Sequence, residues 1–131
     1  MNQGKNKRRS ISGPGIPPHV NPIPAASLVG NVLFSSLVLG KDPETGEIPA
    51  DAETQIKNAF QMVRRIVEQA GGSVDDIGKM DVVLRDRDTR AMINPYWLEM
   101  FPDEESRPAR HTSSGNLREG IEIEIEFIAV I

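Results

Sequence analysis

Near the C-terminus, Glu122, Glu124 and Glu126 alternate with Ile121, Ile123, Ile125 and Phe127. A period of two reads as a strand with carboxylates on one face and apolar side chains on the other. Ile128 and Val130 then make both faces apolar, which predicts a strand that leaves a polar place and enters a core. Three carboxylates about 7 Å apart along one strand face repel one another and need water or a cation beside them. Arg110 is the nearest candidate, because Gly115 to Gly120 can turn the chain and lay the segment around Arg110 antiparallel to the final strand. His111, beside Arg110, is an acid or base near neutral pH. A row of solvated glutamates on a half-exposed strand is the plainer reading of the same pattern.

The rest of the chain must position these groups. Its 131 residues fit one domain, enough to bury roughly two thirds of the unfolded surface. A net charge of −4 argues against nucleic acid as the main partner, since phosphate binding needs Lys and Arg gathered on one face. The absence of cysteine excludes a disulfide framework, a thiolate metal site and a Cys nucleophile. His19 has no second histidine or carboxylate at ligand spacing, so no metal site is expected. No apolar run reaches the roughly 20 residues of a membrane span.

Residues 1–14 are basic and polar, with Lys5, Lys7, Arg8 and Arg9 and no apolar segment of a secretory signal; they read as a flexible arm of a cytoplasmic protein, ahead of a single domain over 15–131. From Gly15 to Pro24 four prolines predict an extended connector along a sheet edge. Gly30-Asn31 joins Ser27 to Val29 and Val32 to Leu39 as a hairpin, whose second strand is interrupted by Ser35 and Ser36 as a packing necessity or as the floor of a site. Lys41 to Glu47 is a turn, and Asp51 caps a helix with Ile56, Ala59, Phe60, Val63, Ile66, Val67 and Ala70 on one face, stopped at Gly71-Gly72. A strand follows over Lys79 to Leu84, then a helix capped by Asp88, in which Pro95 predicts a kink or a second cap at Asn94. The order is β-β-α-β-α-β-β, an α+β arrangement with two helices on one face of a mixed sheet. The other face has no cover, which predicts burial against another subunit.

Taken together, Gly30-Asn31, Asp42-Pro-Glu-Thr-Gly-Glu-Ile-Pro-Ala-Asp51, Ala70-Gly-Gly-Ser-Val-Asp-Asp-Ile77, Asn94 with the aromatic pair and Met100-Phe101 after it, Arg107-Pro-Ala-Arg110 and Ile123-Glu-Ile-Glu-Phe-Ile-Ala-Val130 resemble the reactive intermediate deaminase family, also called RidA or YjgF. The resemblance spans Gly30 to Val130. It implies a chorismate-mutase-like fold assembled as a homotrimer, with the sheets closed into a central trimeric barrel, the helices outside and three clefts between subunits. The implied reaction is hydrolysis of enamine and imine intermediates to a 2-keto acid and ammonia, with no cofactor and no metal. The implied partners are a small imino or keto acid and further copies of the chain, without membrane or nucleic acid.

By the family motif, Arg110 matches the arginine that clamps the substrate carboxylate, and Glu124 the glutamate that holds or activates the attacking water. Ser35 and Asn94 match further polar positions of the cleft. Thr112 takes a position that is often Cys or Thr, where the backbone contacts substrate or water, and His111 is expected at the mouth of the cleft. Three departures mark a paralogous subgroup: Ser35-Ser36-Leu37 stands where Ser-Gly-Gln is usual, Ile23 replaces an aromatic residue, and His111 replaces a serine. Besides the imine deaminase, two alternatives stay open: another hydrolytic reaction in a catabolic pathway, and a non-catalytic trimer that binds small carboxylates or a protein.

Overall fold

The hairpin forms where Gly30 supplies the positive φ, 61°, that its turn needs. Around it the computed structural model, which describes residues 7–131, has the strands β1 (Arg8–Ile11), β2 (Ala26–Val29), β3 (Val32–Ser35), β4 (Val38–Leu39), β5 (Ile77–Leu84), β6 (Ala109–Ser114) and β7 (Ile123–Val130), with the helices α1 (Ala52–Gln69) and α2 (Arg90–Met100). The sheet order is β1-β2-β3-β7-β5-β6, and β4 takes up pairing with β7 beyond the end of β3. All neighbours are antiparallel except β5 and β6, which are parallel.

α1 is set by its ends and its stripe. Asp51 accepts from the Thr54 N–H at 2.9 Å and its hydroxyl at 2.7 Å, and the helix stops before Gly71, whose φ is 97°. Ile56, Ala59, Val63 and Val67 are fully buried against Met80, Val82, Ile123, Ile125 and Phe127, the apolar faces of β5 and β7. Each such side chain stabilises the fold by about 2 kcal/mol. Both helices cover one sheet face, as the sequence predicts. The other face carries Phe34, Ile128 and Val130, 45%, 39% and 53% exposed. The expectation that the end of the last strand enters a core therefore fails within one chain: Ile128 and Val130 leave the core on the open face while Ala129 enters it.

Four other expectations are corrected. Residues 8–11, expected within a flexible arm, are not part of one: Arg8–Ile11 pairs with β2, and Ile11, 1% exposed, is anchored in the core. Lys5 lies outside the described residues. Asp88 does not cap α2; Asp86 caps a 3₁₀ turn over Arg87–Thr89 that leads into it, and α2 runs through Pro95 to Met100 without restarting at Asn94. The strand expected over Val32 to Leu39 is two strands, because Ser36 bends out, its N–H donating to the Ala25 carbonyl and its hydroxyl to the Pro24 carbonyl. Finally, Gly115 to Gly120 does not form a hairpin that pairs Arg110's strand with β7. β5 lies between them, its Met80 opposite both Arg110 and Phe127.

Candidate functional site

Residues opposite one another across the sheet share a face, so the register fixes where each candidate points. Arg110 pairs with buried Met80, and Thr112 with buried Val82, which puts both on the helix-covered side at the edge strand β6. His111 and Glu124 are on the reverse side: His111 pairs with Asp81, and Glu124 with Val83. Arg110 and Glu124 thus occupy opposite faces of one chain, two strands apart, and Arg110 does not neutralise the glutamate row. Arg85 meets Glu122 instead, at 3.4 Å.

The Arg110 half of the site is built by α2. The guanidinium lies 4.8 Å from the centre of the Trp97 ring, a cation–π contact, and Trp97 is held by Phe101 edge-on at 4.7 Å. One Arg110 Nη donates to Asn94 Oδ1 at 3.2 Å. The other, Nη1, is buried without a hydrogen-bond partner, as is the Thr112 hydroxyl on the same face of β6. Among the described residues no carboxylate pairs with Arg110. Burial, and then the nearby Arg90 charge, hold its pKa below the ordinary value. A half-buried cation with spare donors and no acid of its own is an anion site in physical terms.

The Glu124 half is formed where β4 succeeds β3 along β7. Ser35 lies at that step: its Oγ accepts from the Phe127 N–H at 2.8 Å, replacing the ladder bond that is lost where β3 ends. The serine thereby fixes the β7 backbone at Phe127, and its hydroxyl proton is left to donate to another partner. Glu124 itself pairs in register with Leu39 and lines a hollow of about 360 Å³ on the open face, together with Ile23, Leu37 and Lys41. A groove of about 540 Å³ also runs between α1 and α2 past Phe60 and Tyr96, but none of the six candidate residues lines it.

His111 is on the Glu124 side and not beside Arg110's guanidinium. Its Nδ1 is 3.8 Å from Asp81 Oδ1 and its side chain is 71% exposed.

Two residues escape the sequence reasoning. Gln55, fully buried, donates to the Pro49 and Gly120 carbonyls and accepts from the Glu122 N–H, tying the loops before α1 and before β7 to one amide and so setting the start of the strand that carries Glu124. A polar residue on the apolar stripe of α1 is the available signal. Gly40 is the second, since a Cβ there would collide with the Gln55 backbone. His19, in the proline-rich connector, is partly buried and lines the hollow with Glu124.

Comparison with known proteins places the sequence and the fold. The family model for Endoribonuclease L-PSP matches residues 17–131. The 2-iminobutanoate/2-iminopropanoate deaminase of Escherichia coli is 32% identical over 124 residues, covering 93% of this chain and 97% of its own. The crystal structure of RidA from an Antarctic Psychrobacter matches with a TM-score of 0.86 at 33% identity, over 94% of this chain and 99% of that one. E. coli TdcF with bound serine matches with a TM-score of 0.85, also at 33% identity, over 94% and 98%. Sequence and fold agree along almost the whole length, and the chain belongs to the RidA (YjgF, endoribonuclease L-PSP) family.

Proposed function

We propose that the chain is a 2-imino acid deaminase that works as a homotrimer, with each active site formed between the Arg110 face of one subunit and the Glu124 face of the next. The observation that carries this reading is the unpaired, half-buried Arg110 guanidinium, aligned by Asn94 and Trp97 and offering a free Nη1. The E. coli relative named as an imine deaminase and the TdcF structure with serine, a small carboxylate, support the same assignment. The apolar open face with Phe34, Ile128 and Val130 supplies a surface that a second copy would cover.

In this reading Arg110 holds the substrate's 1-carboxylate through paired charge-assisted hydrogen bonds, with the Thr112 hydroxyl beside it. An enamine takes a proton at its terminal carbon to become the imine, whose C2 is electrophilic. Glu124 accepts a proton from a water as its oxygen bonds to C2. Glu124 returns that proton to the imine nitrogen to complete the carbinolamine, whose hydroxyl proton then passes to the same nitrogen as the C–N bond breaks, leaving a 2-keto acid and ammonia. One water enters and one ammonia departs, with no change of oxidation state. Orientation and one activated water suffice because the carbon is already electrophilic. Ser35 serves as a donor in the same cleft, and His111 lies at its rim. The protein is expected to act in the cytoplasm, where such intermediates arise.

The test couples an amino acid oxidase to keto acid and ammonia detection. With several amino acids as feed, the imine should be hydrolysed faster with the protein than without it. Equal rates for every feed would overturn the reading.

A further inference from the structure

The hollow beside Glu124 has a charge that the deaminase reading leaves unused. Lys41 and Arg118 both line it, while Glu124 is its one carboxylate, so its wall is net positive in a chain of net charge −4. Neither cation has an ion-pair partner among the described residues. We propose that this hollow is a subsite for a second carboxylate on the substrate, so that the preferred substrates are dicarboxylic 2-imino or enamine acids. The proposal rests on the deaminase reading for the place of Glu124, and it adds the substrate class.

Each group is delivered by a held segment. Lys41 follows Gly40, which is packed on Gln55 and whose carbonyl accepts from Asn58, and it precedes a turn in which the Asp42 carboxylate accepts from the N–H groups of Glu44 and Thr45. Arg118 stands in the loop before β7, where the Arg85 guanidinium donates to the Leu117, Arg118 and Ile121 carbonyls. His19 stands in a connector stiffened by Pro17, Pro18, Pro22 and Pro24. Burial, then the Lys41 charge, hold its pKa below the ordinary value, so it is present as a neutral donor and acceptor that adds no charge of its own. Ile23 and Leu37, 48% and 44% exposed, supply the apolar part of its lining. Its volume lies within the range of small-ligand sites, roughly 300–1,000 Å³.

Two measurements test this. In the first, the imines of aspartate and of 2-aminobutyrate are generated by oxidases and kcat/KM is compared. The dicarboxylic imine should be favoured about tenfold or more, the scale of one hydrogen-bonded charge. Lys41→Met and Arg118→Met should each collapse that ratio. In the second, succinate and butyrate are titrated by calorimetry. Succinate should bind about tenfold more tightly, and Lys41→Met should abolish the difference. A neutral imine hydrolysed as well as the dicarboxylic one, or succinate binding no better than butyrate, overturns the subsite. If no imine of either kind is accelerated yet succinate retains its Lys41-dependent advantage, the deaminase reading fails and the subsite stands.

Discussion

Replacing Arg110 tests the proposed site most directly, because the structure separates its two roles. As a substrate clamp, Arg110 would supply two charge-assisted hydrogen bonds, each worth roughly 1.5–3 kcal/mol. Losing about 3 kcal/mol lowers kcat/KM by roughly a hundredfold. As a structural residue it contributes the Trp97 contact, about 0.5–1 kcal/mol at a half-exposed site, and one bond to Asn94, about 1 kcal/mol. Against these stands relief of the buried, unpartnered Nη1. The net structural cost of Arg110→Ala is therefore about 1 kcal/mol, a melting shift of only a few degrees for a chain of this size. Arg110→Lys keeps the charge but loses the planar fork, so it should also fail by a large factor. Turnover of an oxidase-generated imine and thermal melting are measured on both variants. Near-normal turnover in the Lys form would refute the clamp, as would activity that falls only in step with unfolding.

Four further outcomes follow from the same geometry. Glu124→Gln keeps the shape of the hollow but removes the proposed base, and kcat should fall by about a hundredfold or more while KM changes little; a variant with about a tenth of normal turnover would exclude the role. Gln55→Leu leaves the Glu122 N–H and two carbonyls without their partner at a fully buried position, and should cost about 3 kcal/mol or more, read as a fall of roughly 10 °C in Tm. Val130→Asp places a charge on the open apolar face and should shift the proposed trimer to monomer in light scattering; a wild-type monomer would remove the proposed shared cleft altogether. His19 has a lowered folded pKa, so its contribution to stability is present above the unfolded value and is lost as pH falls through the folded one. His19→Asn should flatten that part of the acid side of the stability curve below about pH 6.5; an unchanged slope would show that the imidazole titrates alike in both states.

The parts of the fold legible in the sequence are those with local physics strong enough to stand alone. α1 has a cap, an apolar stripe interrupted only by Gln55 and a glycine stop, and it forms where those signals put it. The start of α2 is harder to place because Asp86 and Asp88 are both plausible caps, and only the extra 3₁₀ turn decides between them. β1 reads as a flexible arm because three of its four residues are exposed and two are arginines; a single buried residue, Ile11, leaves no alternation to detect. An edge strand of that kind is stabilised by its partner's backbone, which sequence patterning does not show.

The site is legible in its residues and not in its arrangement. The short segment between Ser114 and Ile121 suggests a hairpin, yet the faces of the strands argue otherwise. β5, with Met80, Val82 and Leu84 all buried, belongs inside the sheet, while β6, Ala-Arg-His-Thr-Ser-Ser, is too polar for any position except an edge. Placing β5 between β6 and β7 follows from that contrast, and with it the separation of Arg110 from Glu124. Strand alternation also requires Arg110 and His111 to face opposite sides, so no single-chain cleft can use both side chains. Among the described residues the guanidinium has no acid on one face and Glu124 no paired base on the other, so in the proposed trimer a rotation that sets the edge of one copy against the open face of the next would bring the two chemistries together.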